Sequence, residues 1–385
     1  MKVALFNVTT TTKTGGVESF VWELARYLTR NYADCQVDII GGLSPRGFHY
    51  PEYPEINSRI RVITRPFISR EKLRKIPLLN RLYGQTKLLE RLSFGLACLP
   101  LLARERYDII HIQKPYDLPL AQMVRRLFGS RILFGCHGKD FFPADRLFAQ
   151  KLPAVSCSHY NAGIIRAHFG IEPVVIYNGI DTALFSPRPV KTELRASLAA
   201  PRELIVMQVG RQVRWKGAQY LIQALALLQR KDLSVKVLLA GDGPYRKELE
   251  AQAHRSGVAE SVIFLGNVPN RDLPDYYALA DVVVGTSFAN ETFGIALCEA
   301  SACERPIVAS DFGGFREVVV EKQTGLFYHP QDSQELADKL ECLLLDVECR
   351  RKMGQSGRHF VAENFGWPAV ARRVHQEYQN ILNKQ

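Results

Sequence analysis

Residues 281–310 read DVVVGTSFANETFGIALCEASACERPIVAS, and the spacing of apolar residues across them decides the fold. A short β-branched run (282–284) is followed by a polar loop, a helix-length stretch rich in Ala and Leu, and a second short run (307–309). Strand, helix, strand over some 30 residues is a βαβ crossover, and the nearly continuous hydrophobicity of both runs suits strands covered on both faces. The helix is expected to start near Thr292 to Gly294, with Glu291 just before it and Glu299 inside it.

The same alternation extends in both directions. The first half contains the strand-like runs KVALFNV, CQVDIIGG, RIRVITR, YDIIHIQ, RILFGCHG, PAVSCS and PVVIYNG; the second contains ELIVMQVGR, VKVLLAGDG, SVIFLGNV, DVVVGTS, RPIVASD and TGLFYHP. The expected fold class is therefore α/β, with two Rossmann-like parallel-sheet domains. A length of 385 residues agrees with two cores of similar size. Pro187, Pro189 and Pro201 interrupt a strand-poor stretch, where a hinge is expected. This places a first domain over 1–184 and a second over 185–365. Val370, Val374, Tyr378 and Ile381 recur at helical spacing, so 366–385 should form a helix that packs back toward the first domain.

Composition excludes several classes. The chain is 46% hydrophobic and 23% charged, as globular proteins are. Its longest nearly apolar run has 12 residues (92–103), well short of the roughly 20 a membrane span needs. The N-terminus does not build a secretory signal, so a cytoplasmic location is expected. Eight scattered cysteines without a C-x-x-C pair suggest free thiols rather than a disulfide or zinc framework.

A formal net charge of +11 asks for an acidic partner. Between Arg59 and Arg106 twelve Lys or Arg stand against three acids, interleaved with leucines. Such a segment can rest on an anionic membrane surface, or form a solvated helix pair with its apolar stripe in the core. A nucleic-acid partner is not expected, because zinc patterns, aromatic RNA-binding motifs and basic tails are missing.

In open parallel sheets, ligands collect at the carboxyl ends of strands, where helix N-termini present unpaired amides. Gly294 would let an anion approach those amides. Arg211 and Lys216, just after a strand end in VGRQVRWKG, could clamp a diphosphate. The carboxylates of Glu291 and Glu299 suit sugar hydroxyls. Gly313 and Gly314 serve backbone geometry, Asp242 is read as structural, and His111 and His159 are read as structural rather than catalytic. Neither domain shows G-x-G-x-x-G after its first strand, which argues against a nicotinamide dehydrogenase.

Taken in order, GRQVRWKG, LAGDGP, FLGNVP, the 281–310 segment with its continuation DFGGFREVV, and TGLFYHPQD resemble the carboxyl-terminal domain of retaining glycosyltransferases of family 4. TGGVES, CHGKD and VVIYNGIDTALFSP match the family's first domain. This resemblance implies the GT-B fold, two domains facing each other across a cleft. It implies a retaining, nucleotide-sugar-dependent hexosyltransferase working on a glycan or lipid-linked acceptor in lipopolysaccharide or polysaccharide synthesis, with no cofactor and no metal. By position, Arg211 and Lys216 would bind the donor diphosphate, Glu299 the ribose and Glu291 the sugar hydroxyls. Amides around Thr292, Phe293 and Gly294 would meet sugar or phosphate, and Gly15 and Gly16 would approach the donor. His137 would be the catalytic-site histidine, and Asp140 would touch the acceptor. The chain departs from the family at Glu304 and in VEKQTG, where glycines are usual. A GT-B-like protein that binds or hydrolyses a sugar nucleotide without transferring it is the alternative.

Overall fold

The structure is a computed structural model that describes residues 1–13, 15–44, 57–76, 83–138, 141 and 145–384. It divides into two compact units, residues 1–179 with 367–385, and residues 180–366.

The first unit holds a sheet of β1 (Lys2–Phe6), β2 (Gln36–Gly42), β3 (Ile60–Arg65), β4 (Ile109–Ile112), β5 (Arg131–Cys136), β6 (Ala154–Ser156) and β7 (Val174–Val175), in the order β3-β2-β1-β4-β5-β6-β7. The second holds β8 (Leu204–Val209), β9 (Val235–Ala240), β10 (Val262–Gly266), β11 (Val282–Gly285), β12 (Ile307–Ser310) and β13 (Gly325–Tyr328), in the order β10-β9-β8-β11-β12-β13. Every strand pairing is parallel. Each of the thirteen apolar runs contains one of these strands, as two Rossmann-like domains require.

Burial on both faces explains the unbroken runs. In β1, Val3 and Leu5 face a core shared with Trp22, Leu24, Val374 and Tyr378, while Ala4 and Phe6 face Phe94, Leu101 and Ile110. Alternate side chains of one strand thus enter different cores, so neither parity can be polar. The helix Trp367–Asn383 belongs to the first of these cores. Its Val370, Val374, Tyr378 and Ile381 are all buried, and the Tyr378 hydroxyl lies 2.8 Å from Nδ1 of buried His111.

Strand order reverses between β1 and β4 in the first sheet and between β8 and β11 in the second. At such a switch point neighbouring crossovers leave in opposite directions and open a crevice beyond the strand ends. The loops after β1, β8 and β11 carry most of the candidate residues, and His137 follows β5.

Segment 59–106 carries less free charge than its composition suggests. Arg61 pairs with Asp38 and Arg91 with Asp117, acids from outside the segment, while Arg70 pairs with Glu90. Phe94, Cys98, Leu101 and Leu102 of its long helix, Tyr83–Glu105, belong to the core. Leu89 and Leu96 on that helix are exposed, as are Ile68 and Ile76. Among the described residues, no helix is long and apolar enough to cross a membrane. Six of the eight cysteines are buried; Cys342 is exposed and Cys349 half-buried.

Candidate active site

The second unit's site grows from two adjacent strand ends laced together. After β8 the chain makes a single 3-10 turn, Arg214–Lys216, and closes it at Gly217 with φ +76°. A Cβ at Gly217 would lie 1.9 Å from the Thr286 carbonyl oxygen, so only glycine lets this turn rest against the end of β11. The Lys216 carbonyl accepts hydrogen bonds from Gln208 Nε2 (2.9 Å) and Thr286 Oγ1 (2.7 Å), and the Phe288 amide donates to the Trp215 carbonyl (3.0 Å).

With the backbone held this way, Lys216 Nζ meets Glu291 Oε2 at 2.7 Å, and Ser287 Oγ donates to the same oxygen at 2.9 Å. Both side chains are largely buried (22% and 11% exposed), which strengthens the pair relative to a surface bridge. Lys216 therefore points at Glu291 as well as lying beside Arg211: the indole of Trp215 has the Lys216 ammonium 5.1 Å and the Arg211 guanidinium 5.8 Å from its ring. Arg211 itself is exposed. It lines a pocket of about 190 Å³ at the ends of β8, β9 and β10, together with Gly210, Gly241, Asp242, Asn267 and Val268. Asp242 thus borders the pocket while accepting a hydrogen bond from the Gly243 amide.

The helix begins at Ile295, with Gly294 at its N-cap in a left-handed conformation (φ +109°). A Cβ there would meet the Phe315 ring at 2.8 Å. Gly314 donates its amide to the Glu291 carbonyl (3.1 Å), and a Cβ on Gly314 would fall 2.4 Å from Phe293 N, so this glycine is required by close backbone approach. Phe293 is buried edge-on against Phe365, and Thr292 is half-buried beside it. The first-turn amides thereby keep their place beside the Lys216–Glu291 pair, ready for an anion.

Glu299 is buried inside the helix rather than on its surface, and the Tyr277 hydroxyl donates to its Oε2 at 3.1 Å. Burial pushes its carboxyl up from 4.5 to about 8, with the Tyr277 hydrogen bond acting in the opposite direction.

In the first unit, His137 follows β5, and its Nε2 lies 2.8 Å from Gln113 Oε1 at the end of β4. The Phe20 ring stands 4.8 Å from the imidazole. Burial, with the charge of Lys114 adding to it, lowers the His137 pKa to about 3, so the ring is neutral at neutral pH. Gly15 and Gly16 are exposed at the start of helix Gly16–Asn31, the helix that carries Phe20. Gly15 has an extended backbone (φ 167°) that any residue adopts. Asp140 lies outside the described residues.

Sequence reading missed the groups that hold these side chains. Gln113, Ser287, Tyr277 and the Gln208–Thr286 clamp carry no local pattern, since each acts through tertiary contact. Among the described residues, no three His, Cys, Asp or Glu side chains are grouped to hold a metal ion.

Two parallel sheets with polar groups gathered at their switch points are an α/β ligand-binding arrangement, and comparison with known proteins gives the family. Residues 190–360 match the model for glycosyl transferases group 1, and residues 14–184 the model for Glycosyltransferase Family 4. The GDP-mannose-dependent alpha-(1-6)-phosphatidylinositol monomannoside mannosyltransferase of Mycobacterium tuberculosis is 30% identical over 66% of this chain and 71% of that protein. A D-inositol 3-phosphate glycosyltransferase of Xylanimonas cellulosilytica is 28% identical over 96% and 93%. Among solved structures, sucrose-phosphate synthase from Thermosynechococcus elongatus superposes with a TM-score of 0.83 at 24% identity, each chain covered in full. Anabaena HepE in complex with UDP-glucose gives 0.80 at 22%, over 99% of this chain and 100% of that one. The fold is that of GT-B glycosyltransferases. This chain belongs to glycosyltransferase family 4 and is a transferase.

Proposed function

We propose that the enzyme transfers a hexosyl group from a nucleoside-diphosphate sugar to a glycan or lipid-linked acceptor of polysaccharide or lipopolysaccharide synthesis, with retention of anomeric configuration. The observation that carries the donor assignment is the Lys216–Glu291–Ser287 cluster beside a glycine-opened helix start at the second sheet's switch point. The name of the mycobacterial relative specifies GDP-mannose, and the Anabaena structure contains UDP-glucose. Both support a nucleotide-sugar donor and leave base and sugar open.

In this reading Arg211, Lys216 and the amides at Thr292, Phe293 and Gly294 receive the diphosphate. Glu299 takes the ribose, and Glu291 shares Lys216 with the donor while it accepts from sugar hydroxyls. Neutral His137 hydrogen-bonds the transferred sugar, and Gly15 and Gly16 leave room for the donor. The acceptor oxygen bonds to the anomeric carbon on the face from which the diphosphate departs. The C–O bond to the diphosphate breaks, and a leaving-group oxygen takes the acceptor's proton. Cations placed where that negative charge grows lower the barrier without a covalent nucleophile.

Lys216→Ala should therefore lower turnover about 10²–10³-fold, as removal of one preorganised group does elsewhere. Rates of product formation with a panel of nucleotide sugars measure this; unchanged turnover would refute the leaving-group role. Arg211 and Lys216 supply the countercharge a metal would bring, so activity should persist in excess chelator, and abolition there would refute metal independence. Exposed Ile68, Ile76, Leu89 and Leu96 support peripheral attachment of a cytoplasmic enzyme to an anionic membrane surface. Sedimentation with anionic but not neutral vesicles is expected.

A further inference from the structure

Trp215 stands apart from the other two tryptophans. Trp22 and Trp367 are 4% and 3% exposed and belong to a core of the first unit, where the ring of Trp367 lies 5.5 Å from that of Phe20. Trp215 is half-buried in the second unit, on the single turn Arg214–Lys216. A large apolar ring left partly in water gives up much of the burial that favours it elsewhere, so its place on this turn is explained by what it touches.

The backbone that carries the ring is fixed on several sides. The Trp215 carbonyl accepts from the Phe288 amide, the Lys216 amide donates to the Val213 carbonyl (2.9 Å), and the Arg214 carbonyl accepts from the Gly217 amide (3.2 Å) and from Gln219 Nε2 (3.0 Å). From this anchored point the indole meets Lys216 and Arg211, at 5.1 and 5.8 Å from its ring centre, both inside the roughly 6 Å range of cation–π attraction. The two cations are held differently. Lys216 has a carboxylate partner in Glu291. Arg211 is exposed, and among the described residues its guanidinium makes no hydrogen bond or ion pair, so the indole is the restraint the structure gives it. A long cationic side chain without a partner spreads over many rotamers and is repelled by an ammonium beside it; the negative face of an aromatic ring offsets both.

We infer that Trp215 is a positioning residue: its indole keeps the Arg211 guanidinium gathered beside the Lys216 ammonium before the donor arrives, so that the diphosphate meets two cations already in place. The inference rests on the donor reading above and adds the group that prepares the two cations for it. The gain is one of preorganisation, since side-chain freedom is surrendered on folding rather than on binding. Once a diphosphate is bound it holds both cations itself, so the indole acts on affinity more than on the chemical step.

Quenching of tryptophan fluorescence in the full, ligand-free chain tests the grouping first and needs no variant. With Trp22 and Trp367 buried, quenchers in solution report on Trp215. Normalised to N-acetyltryptophanamide, iodide should quench it at least about twofold more than caesium at equal ionic strength, because cations flank the ring. Equal quenching by the two ions would overturn the proposal. Arg211→Met should remove much of the difference. The use of the grouping is tested by titrating the chain with UDP and GDP. Trp215→Leu, which keeps an apolar side chain, should weaken binding of the nucleoside diphosphate that wild type prefers by about 5–30-fold, and Trp215→Phe should recover part of the loss. Leu and Phe variants of equal affinity would reduce the indole to packing and overturn its role. In an Arg211→Met background the same Trp215→Leu change should cost only about 2–5-fold, since the Lys216 contact alone remains. An equal loss in both backgrounds would mean that the indole touches the ligand directly, and would overturn positioning through Arg211. With a nucleotide-sugar donor, Trp215→Leu should raise KM by more than it lowers kcat; a fall confined to kcat would contradict preorganisation. A wild type that shows the iodide preference yet binds neither nucleotide would sink the donor assignment itself, and with it the use proposed for the pair.

Discussion

Glu299 shows how a single residue's setting can change its chemistry. An ordinary glutamate is ionised at neutral pH, but this one is buried with one hydroxyl partner and titrates near 8. A folded-state pKa above the unfolded value near 4.5 means its contribution to stability is fully present below 4.5 and is lost as pH rises toward 8. Unfolding free energy of the ligand-free protein should fall across that window by at most about 1.4 kcal/mol per pH unit from this group. Glu299→Gln should flatten the slope, and an unaltered slope in that variant would refute the assignment. Ribose hydroxyls that donate to the carboxylate favour its ionised form, so donor binding near pH 7 should release up to one proton. Calorimetry in buffers of different ionisation enthalpy would detect it. The sequence made Glu299 legible as a candidate through its position after a strand and inside a helix. Its protonation was not legible, because Tyr277 comes from another helix and only the packed structure shows how little water reaches the pair. His137 repeats the case: its motif marks it, while its partner Gln113 and the burial that keeps its ring neutral carry no signal near CHGKD.

At the scale of single elements, the glycines and their replacements behave as backbone geometry requires. The thirteen strands were readable because parallel strands buried on both faces leave continuous apolar runs. The turns were harder to read. The two departures from the family pattern, Glu304 and Lys322 in VEKQTG, both fall at left-handed positions, with φ of +58° and +61°. An L-residue there costs about 1–2 kcal/mol, against a glycine entropy cost of about 0.5–1 kcal/mol. Glu304→Gly should therefore stabilise the second unit by up to about 1 kcal/mol, read from urea midpoints; destabilisation would show that the Glu304 side chain makes a contribution of its own. Gly217→Ala goes the other way. Its Cβ cannot coexist with the Thr286 carbonyl 1.9 Å away, so the turn must lift from β11 and carry Lys216 off Glu291. Donor-dependent turnover should then fall even if the protein still folds, and a fully active Gly217→Ala would contradict the lacing of the two strand ends.

Over the whole molecule, the chain passes from the first unit to the second at residues 179–180 and back at 366–367, so the first unit is complete only when the last 19 residues have been added. Trp367, Val370, Val374, Tyr378 and Ile381 are each 7% exposed or less within the core built on β1 and β2. At about 1.5–3 kcal/mol per buried apolar side chain, these five contribute roughly 7–15 kcal/mol as an upper figure. That is as large as the roughly 5–15 kcal/mol net stability of a typical domain. Removing the helix would also strip the Tyr378 hydroxyl from buried His111, whose ring burial holds neutral. The main core cluster of the second unit, by contrast, runs from Val206 to Met353, with Val361 and Phe365 also buried inside the unit, and its two ends are tied by the hydrogen bond from the Ile180 amide to the Phe365 carbonyl. A chain ending at Gly366 should therefore lose the cooperative unfolding of its first unit while its second unit still melts as one body. Residues 180–366 expressed alone should fold and be stabilised by a nucleoside diphosphate. Scanning calorimetry of the three chains decides between this and a terminal helix that merely decorates the surface, for which the shortened chain would melt like the intact one.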